Sequence, residues 1–140
     1  MPKTINIQTN RKEIAIQRDG ENVGSIYFSP SDFSIIKRLR EVQKKLADFK
    51  VDIEGKEDLD EMLDEANKAD KELRDAIDYA FDYPCSEVVF GAGYSFTTRK
   101  GVSALEQFLE AAIDYIADEV DKEAKASQKR QDKYLSKYAK

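Results

Sequence analysis

Hydrophobic and polar positions along this chain follow two different periods. Over the first 28 residues the apolar positions alternate: Ile5 with Ile7 and Ile14 with Ile16 are each separated by one residue, and Val23 to Phe28 supplies a further strand-like run. A period of two is that of a half-buried strand. Asp19-Gly20, between the second and third runs, is a two-residue turn signal, because both residue types accept the positive φ of a tight hairpin. The pattern predicts a β-hairpin or a three-stranded meander over residues 1–28. An isolated hairpin is marginal in water, so packing on helices is expected, with pairing of its open edge to another subunit as the alternative.

From residue 29 the period changes to three or four. Ser29-Pro30-Ser31-Asp32 reads as a helix start, with Ser29 as cap, Pro30 at the first helical position and Asp32 near the positive end. Phe33, Ile36, Leu39, Val42, Leu46, Phe49 and Ile53 form the apolar stripe of this helix. Lys37, Arg38, Arg40, Lys44 and Lys45 fall on the other face, and Gly55 ends it. A second helix is predicted from Lys56 to Asp82, with Leu59, Met62, Leu63, Ala66, Ala69, Leu73, Ile77 and Phe81 as its stripe. The small Ala residues admit a close neighbour. Joined by a short turn, the two helices read as an antiparallel pair over residues 29–82, and Pro84 stops the second. Residues 83–102 form an aromatic turn and a polar loop. Ser103 and Glu106 make a capping box for a third helix over 103–121, striped by Leu105, Phe108, Leu109, Ala112, Ile113, Ile116 and Val120. Past Val120 the stripe lapses into a tail, 122–140, anchored by no more than Tyr134, Leu135 and Tyr138 and either flexible or helical. The fold class is mainly α, a small α+β domain over 1–121: an N-terminal β-hairpin, three amphipathic helices and a basic C-terminal tail.

Composition narrows the chemistry. The chain has 140 residues, suited to one domain, and 36% of them are charged, in keeping with long solvated helices. Net charge is −5, but residues 122–140 carry +5 and residues 1–121 carry −10. An acidic body repels nucleic acid and leaves any phosphate contact to the tail. The N-terminus lacks the apolar core of a signal peptide, and no run of about 18 apolar residues occurs, so a soluble intracellular protein with no membrane partner is expected. There is no His, the commonest acid/base and metal ligand, and the single Cys85 has no adjacent base to activate it. The paired carboxylates at 57–58, 60–61 and 64–65 sit on an exposed helix face, where solvated charge is the ordinary explanation. Gly91-Ala92-Gly93 is followed by no phosphate-loop pattern. No enzymatic activity, metal or cofactor is expected.

Binding therefore falls to the dense aromatic segment FDYPCSEVVFGAGYSF. Aromatic side chains bury large area with few rotors to immobilise. Phe81, Tyr83, Pro84, Phe90, Tyr94 and Phe96 are the candidate partner-binding residues, with Tyr83, Tyr94 and Phe96 expected to be the more exposed because they flank the turn. The competing assignment is a helix-packing seam.

Three stretches carry a family resemblance: FSPSDFSIIKRLREV after a short β N-terminus, AIDYAFDYPCSEVVFG at the end of a charged helix, and the final helix ALEQFLEAAIDYI. Their order resembles the small tail assembly chaperones of siphophages of Gram-positive hosts, encoded between the major tail protein and the tape measure protein. In that family an Asp- and Phe-rich segment ending in Phe-Gly near a proline joins the central helix to the last one. Asp78, Phe81, Asp82, Pro84, Val89, Phe90 and Gly91 match it, within a resemblance covering roughly residues 22–120. The resemblance implies a non-enzymatic protein that binds the tape measure protein and recruits tail tube protein in the host cytoplasm, is missing from the mature virion, and forms homo-oligomers. A generic helical adaptor or scaffolding protein is the main alternative. An RNA-binding regulator acting through residues 122–140 is the second.

Overall fold

The computed structural model describes residues 1–49, 58–100 and 102–138. In chain order its elements are strands β1 (Lys12–Arg18) and β2 (Glu21–Phe28), helices α1 (Ser34–Phe49) and α2 (Leu59–Phe81), and a short α3 (Ser86–Phe90). The two-residue strands β3 (Thr98–Arg99) and β4 (Val102–Ser103) follow, then the long helix α4 (Ala104–Tyr138). The protein is mainly α with a small N-terminal β-hairpin, as the hydrophobic pattern predicts.

Asp19 and Gly20 take φ values of 52° and 83°, the positive pair that lets a two-residue turn follow the strand twist. β1 and β2 pair antiparallel with Ile14 opposite Ile26, and the register shifts by one residue at Val23. Ile26 and Phe28 enter the core, with Ile14 and Ile16 packed against it, so the hairpin covers the helices. Gly24, at φ 144°, sits where β2 meets α3: a Cβ there would lie 2.9 Å from a Val88 methyl. The alternation at Ile5 and Ile7 does not become a third strand. Residues 1–11 form no ladder and both isoleucines are exposed. This arm instead runs beside α4, with Asn10 Nδ2 donating to Glu123 Oε2 at 3.1 Å and Lys12 Nζ 3.8 Å from Glu119.

The helix expected to start at Pro30 begins four residues later, at Ser34. Asp32 N–H donates to the Ser29 carbonyl (3.0 Å), which closes a turn around a fully buried Pro30. Asp32 then caps α1, its Oδ1 accepting the Ser34 N–H at 3.2 Å and the Ser34 hydroxyl. The later start turns the buried stripe to Ile35, Leu39, Val42 and Leu46; Ile36 is half-buried and Phe33 is exposed outside the helix. Ile53, Gly55 and Lys56, assigned to the end of the first helix and the start of the second, lie outside the described residues. In α2 the buried side is Ala66, Ala69, Leu73, Ile77, Ala80 and Phe81, while Leu59 and Leu63 in its first turns are exposed. α1 and α2 run antiparallel: Arg38 Nε donates to the Ala80 carbonyl at 3.0 Å, and further along Lys45 and Glu72 line the same groove. Arg38, read from the sequence as part of a solvated face, thus joins the two helices and lies 5.9 Å from the Tyr79 ring.

Leu105, Leu109, Ala112, Ile116 and Val120 bury the first half of α4 against this pair and the hairpin. Ser103 Oγ accepts the Glu106 N–H at 3.0 Å, the cap the sequence signals. The helix does not stop at 121. It continues to Tyr138, 35 residues in all, or about 52 Å at ~1.5 Å per residue. Residues 121–138 lack Gly and Pro, and Asp118–Lys122, Asp121–Lys125 and Gln128–Asp132 pairs link successive turns. Local propensity, not burial, carries this half of the helix. Every side chain from Lys125 to Lys137 is exposed. Removing residues 125–140 should therefore move Tm by no more than about 2 °C, whereas Leu109→Ala should cost about 2–5 kcal/mol; thermal and urea unfolding measure both.

Candidate protein-binding surface

The aromatic segment is built as a return over α2. α2 ends in a left-handed residue, Asp82 (φ 64°), whose N–H reaches the Tyr79 carbonyl at 3.2 Å while Tyr83 N–H reaches the Asp78 carbonyl at 3.1 Å. This is the paired closure of a Schellman motif, with Asp in the position glycine usually takes. Pro84 comes just after the stop, which is already made. Asp78 then works a second time: its Oδ1 accepts the N–H groups of Cys85 (2.9 Å) and Ser86 (2.7 Å) and so opens α3. One residue closes the first helix with its backbone carbonyl and opens the next with its carboxylate.

Two turns earlier on the same helix, Asp70 and Arg74 hold the far end of the return. Asp70 Oδ2 pairs with Arg74 Nε at 2.8 Å, and both side chains are mostly buried. Asp70 Oδ1 accepts the Ser95 N–H at 2.7 Å, and Arg74 Nη2 donates to the carbonyls of Gly91 (2.8 Å) and Gly93. Asn67 Oδ1 accepts from the Tyr94 hydroxyl at 2.9 Å. Gly91 has φ 64° and ψ −145°, a backbone region open to glycine alone, and the Arg18 guanidinium fills the space a Cβ would need. Ser95 is fully buried; its carbonyl accepts the Leu105 N–H at 2.8 Å, while its hydroxyl meets no hydrogen-bond partner among the described residues.

The six candidate residues separate accordingly. Phe81 and Phe90 are buried, and both rings meet Phe108 at centroid distances of 6.0 and 5.9 Å. They are core, not a surface that a partner covers; the five-residue α3 is too short to show a helical stripe in the sequence. Tyr83 is half-buried and its hydroxyl accepts the Tyr27 N–H of β2 at 2.6 Å, which ties the hairpin to the return. Pro84 is exposed. Tyr94 and Phe96 are half-buried and stacked, with centroids 4.9 Å apart and planes 10° from parallel. Tyr83 and Pro84 thus mark one end of the return and the Tyr94–Phe96 stack the other, with an open cleft of about 510 Å³ along α2 bounded by Asn67, Arg74, Asp78, Pro84 and Gly91. The residues the sequence reading missed are Asn67, Asp70 and Arg74. Their Asp70–Arg74 spacing was visible as an ordinary helical ion pair, but the backbone groups they hold lie 17 to 25 residues away.

Chemically the surface offers packing and hydrogen bonding. Burial, with the Asp78 carboxylate beside it, pushes the Cys85 thiol up to about 12, so it stays protonated and inert at neutral pH. Burial likewise raises the Tyr83 phenol above its ordinary value, against the opposing pull of the Tyr27 hydrogen bond. Among the described residues no cluster of Cys, Asp or Glu could hold a metal ion, and no helix is long and apolar enough to cross a membrane. No family model, curated protein or solved structure matches this chain.

Asp78→Ala should leave the Cys85 and Ser86 N–H groups unpaired and cost about 1–3 kcal/mol in urea unfolding, while Asp78→Asn, which keeps an acceptor oxygen, should cost less. The raised thiol fixes the sign of an alkaline effect. The unfolded chain releases the Cys85 proton near the ordinary value of 9.0 and the folded chain only near 12. Its contribution is complete below the lower value and lost as pH rises towards the upper one. The unfolding midpoint should fall across that window, more gently in Cys85→Ala, and a thiol reagent should label Cys85 only on unfolding.

Proposed function

We propose that this protein is a non-enzymatic assembly chaperone of siphophage tails, acting in the host cytoplasm and missing from the finished virion. It binds apolar helical stripes of the tape measure protein before the tube encloses them, and it brings tail tube protein to the same assembly. The observation that supports this most directly is the half-exposed Tyr94–Phe96 stack, fixed from below by Asn67 and by the Asp70–Arg74 clasp. An aromatic pair already held in place loses little freedom on binding, which is what a docking site for an amphipathic helix requires. The Asp/Phe-rich residues that carry the family resemblance build the support: Asp78 caps, Asp82 takes the left-handed turn, Val89 and Phe90 fill the core, and Gly91 admits Arg18.

Co-expression with a tape measure protein, followed by affinity capture, tests the proposal. The wild type should hold the long partner in the soluble fraction. Tyr94→Ala combined with Phe96→Ala should lose capture while circular dichroism still shows a folded helical protein, and Tyr94→Phe, which removes only the bond to Asn67, should keep it. A wild type that captures nothing overturns the function; a folded double variant that still captures overturns the site.

A further inference from the structure

α4 leaves the packed body after Val120, and the charges on its projecting half are of two kinds. Five acids occur between residues 118 and 138, and each is held. Asp118 pairs with Lys122 and Asp121 with Lys125, both at 3.0 Å. Glu119 meets Lys122 at 3.6 Å and Lys12 of the N-terminal arm at 3.8 Å. Glu123 accepts from Asn10 and Asp132 from Gln128, at 3.1 and 3.0 Å. Neutral amides hold these last two acids, so four cations are left over. The side chains of Lys129, Arg130, Lys133 and Lys137 meet no acid among the described residues, and all four are exposed.

The four follow one another at steps of one, three and four. At 3.6 residues per turn they share an arc of about 100° on one side of the helix. Beyond Glu123 no acid and no large apolar residue falls within that arc; Tyr134 and Leu135 lie outside it. Such a surface selects among partners. A protein helix docks through an apolar seam, which the arc lacks. A bilayer takes an amphipathic helix by its apolar face, and here the far side carries Ser127, Gln128 and Gln131. A single-stranded nucleic acid needs aromatic rings on which its bases stack, and the arc has none. A double helix asks only for cations placed along its phosphates. A bare α-helix about 10–12 Å across is also what the B-form major groove, about 12 Å wide, admits, whereas the A-form groove of RNA is too narrow.

We propose that the projecting half of α4 binds double-stranded DNA without regard to sequence, with Lys129, Arg130, Lys133 and Lys137 on its phosphates. Release of the counterions condensed on the duplex drives the contact. Residues 1–121 carry −10 and are repelled, so the projection is the part that approaches. The surface shares no residue with the Tyr94–Phe96 stack, and it stands or falls independently of any binding to a tape measure protein.

Fluorescence anisotropy of the full-length protein with a labelled DNA duplex of mixed sequence tests it. Four neutralised phosphates give a slope of about −3.6 in log K against log salt, so binding should weaken ~10²-fold between about 50 and about 200 mM salt. Lys133→Gln should make that slope shallower by about 0.9, equally on duplexes of different sequence. Lys129→Gln, Arg130→Gln, Lys133→Gln and Lys137→Gln together should abolish binding while circular dichroism keeps its helical signal. Lys44→Gln with Lys45→Gln, which removes charge from α1 instead, should bind as the wild type does. A wild type that leaves the duplex free at about 50 mM salt overturns the proposal, and so does a fourfold variant that still binds. Tighter binding of single-stranded DNA or poly-uridine than of the duplex overturns it too, as does equal binding of a poly-glutamate peptide or of phosphatidylserine vesicles.

Discussion

The fold depends on how the chain gets back over α2 once that helix has ended. A connector of some twenty residues must cross a helix and start another, and its backbone N–H groups must find acceptors or stay in water. Three side chains from successive turns of α2 supply the partners: Asp78 for the two amides that open α3, Asp70 for Ser95, and Arg74 for the carbonyls of Gly91 and Gly93. With those backbone groups satisfied, Cys85, Val89 and Phe90 can enter the core, and Tyr83 is placed to meet the backbone of β2. The hairpin, the return and α4 are then one packed unit.

The arrangement also explains why so many aromatic rings occur in one short stretch. They serve two purposes that alternate along it. Phe81 and Phe90 fill the space against Phe108, and Tyr83, Tyr94 and Phe96 stay at the boundary with solvent, each tied by a hydroxyl bond or a ring stack. A surface built of boundary rings on a rigid support suits protein binding better than one built of free side chains, because its conformational entropy is already spent in folding.

What could be read from the sequence was whatever depends on neighbours. The Asp19-Gly20 turn, the Ser103 cap and the Leu39–Val42–Leu46, Leu73–Ile77–Phe81 and Leu105–Leu109–Ala112–Ile116 parts of the helix stripes all rest on residues within a few positions of one another, and all are present. Errors arose where a local pattern had no partner or a wrong phase. Ile5 and Ile7 alternate like a strand but pair with neither edge of the hairpin. Ser29-Pro30 looks like a helix start but makes a turn, so that Ile35 takes the core place expected of Phe33 and Ile36. Propensity was underrated past Val120, where burial ends and the helix does not. The Asp70–Arg74–Asp78 ladder was out of reach for a different reason: its targets are backbone groups, which no residue type announces.

The wide separation of the hairpin from its partners bears on synthesis. β1 and β2 leave the ribosome well before the residues that hold them: Tyr83 for Tyr27, Tyr115 for the Phe28 ring, and Glu123 for Asn10, 113 positions downstream. At about 5–20 residues per second, the last of these contacts trails the first strand by roughly 6–23 s. Until α1, α2 and the return have been made Ile26 and Phe28 have little core to enter, and a two-stranded sheet holds together poorly by itself. The hairpin is made before the helices it packs on, and this packed unit closes only when α4 has been made.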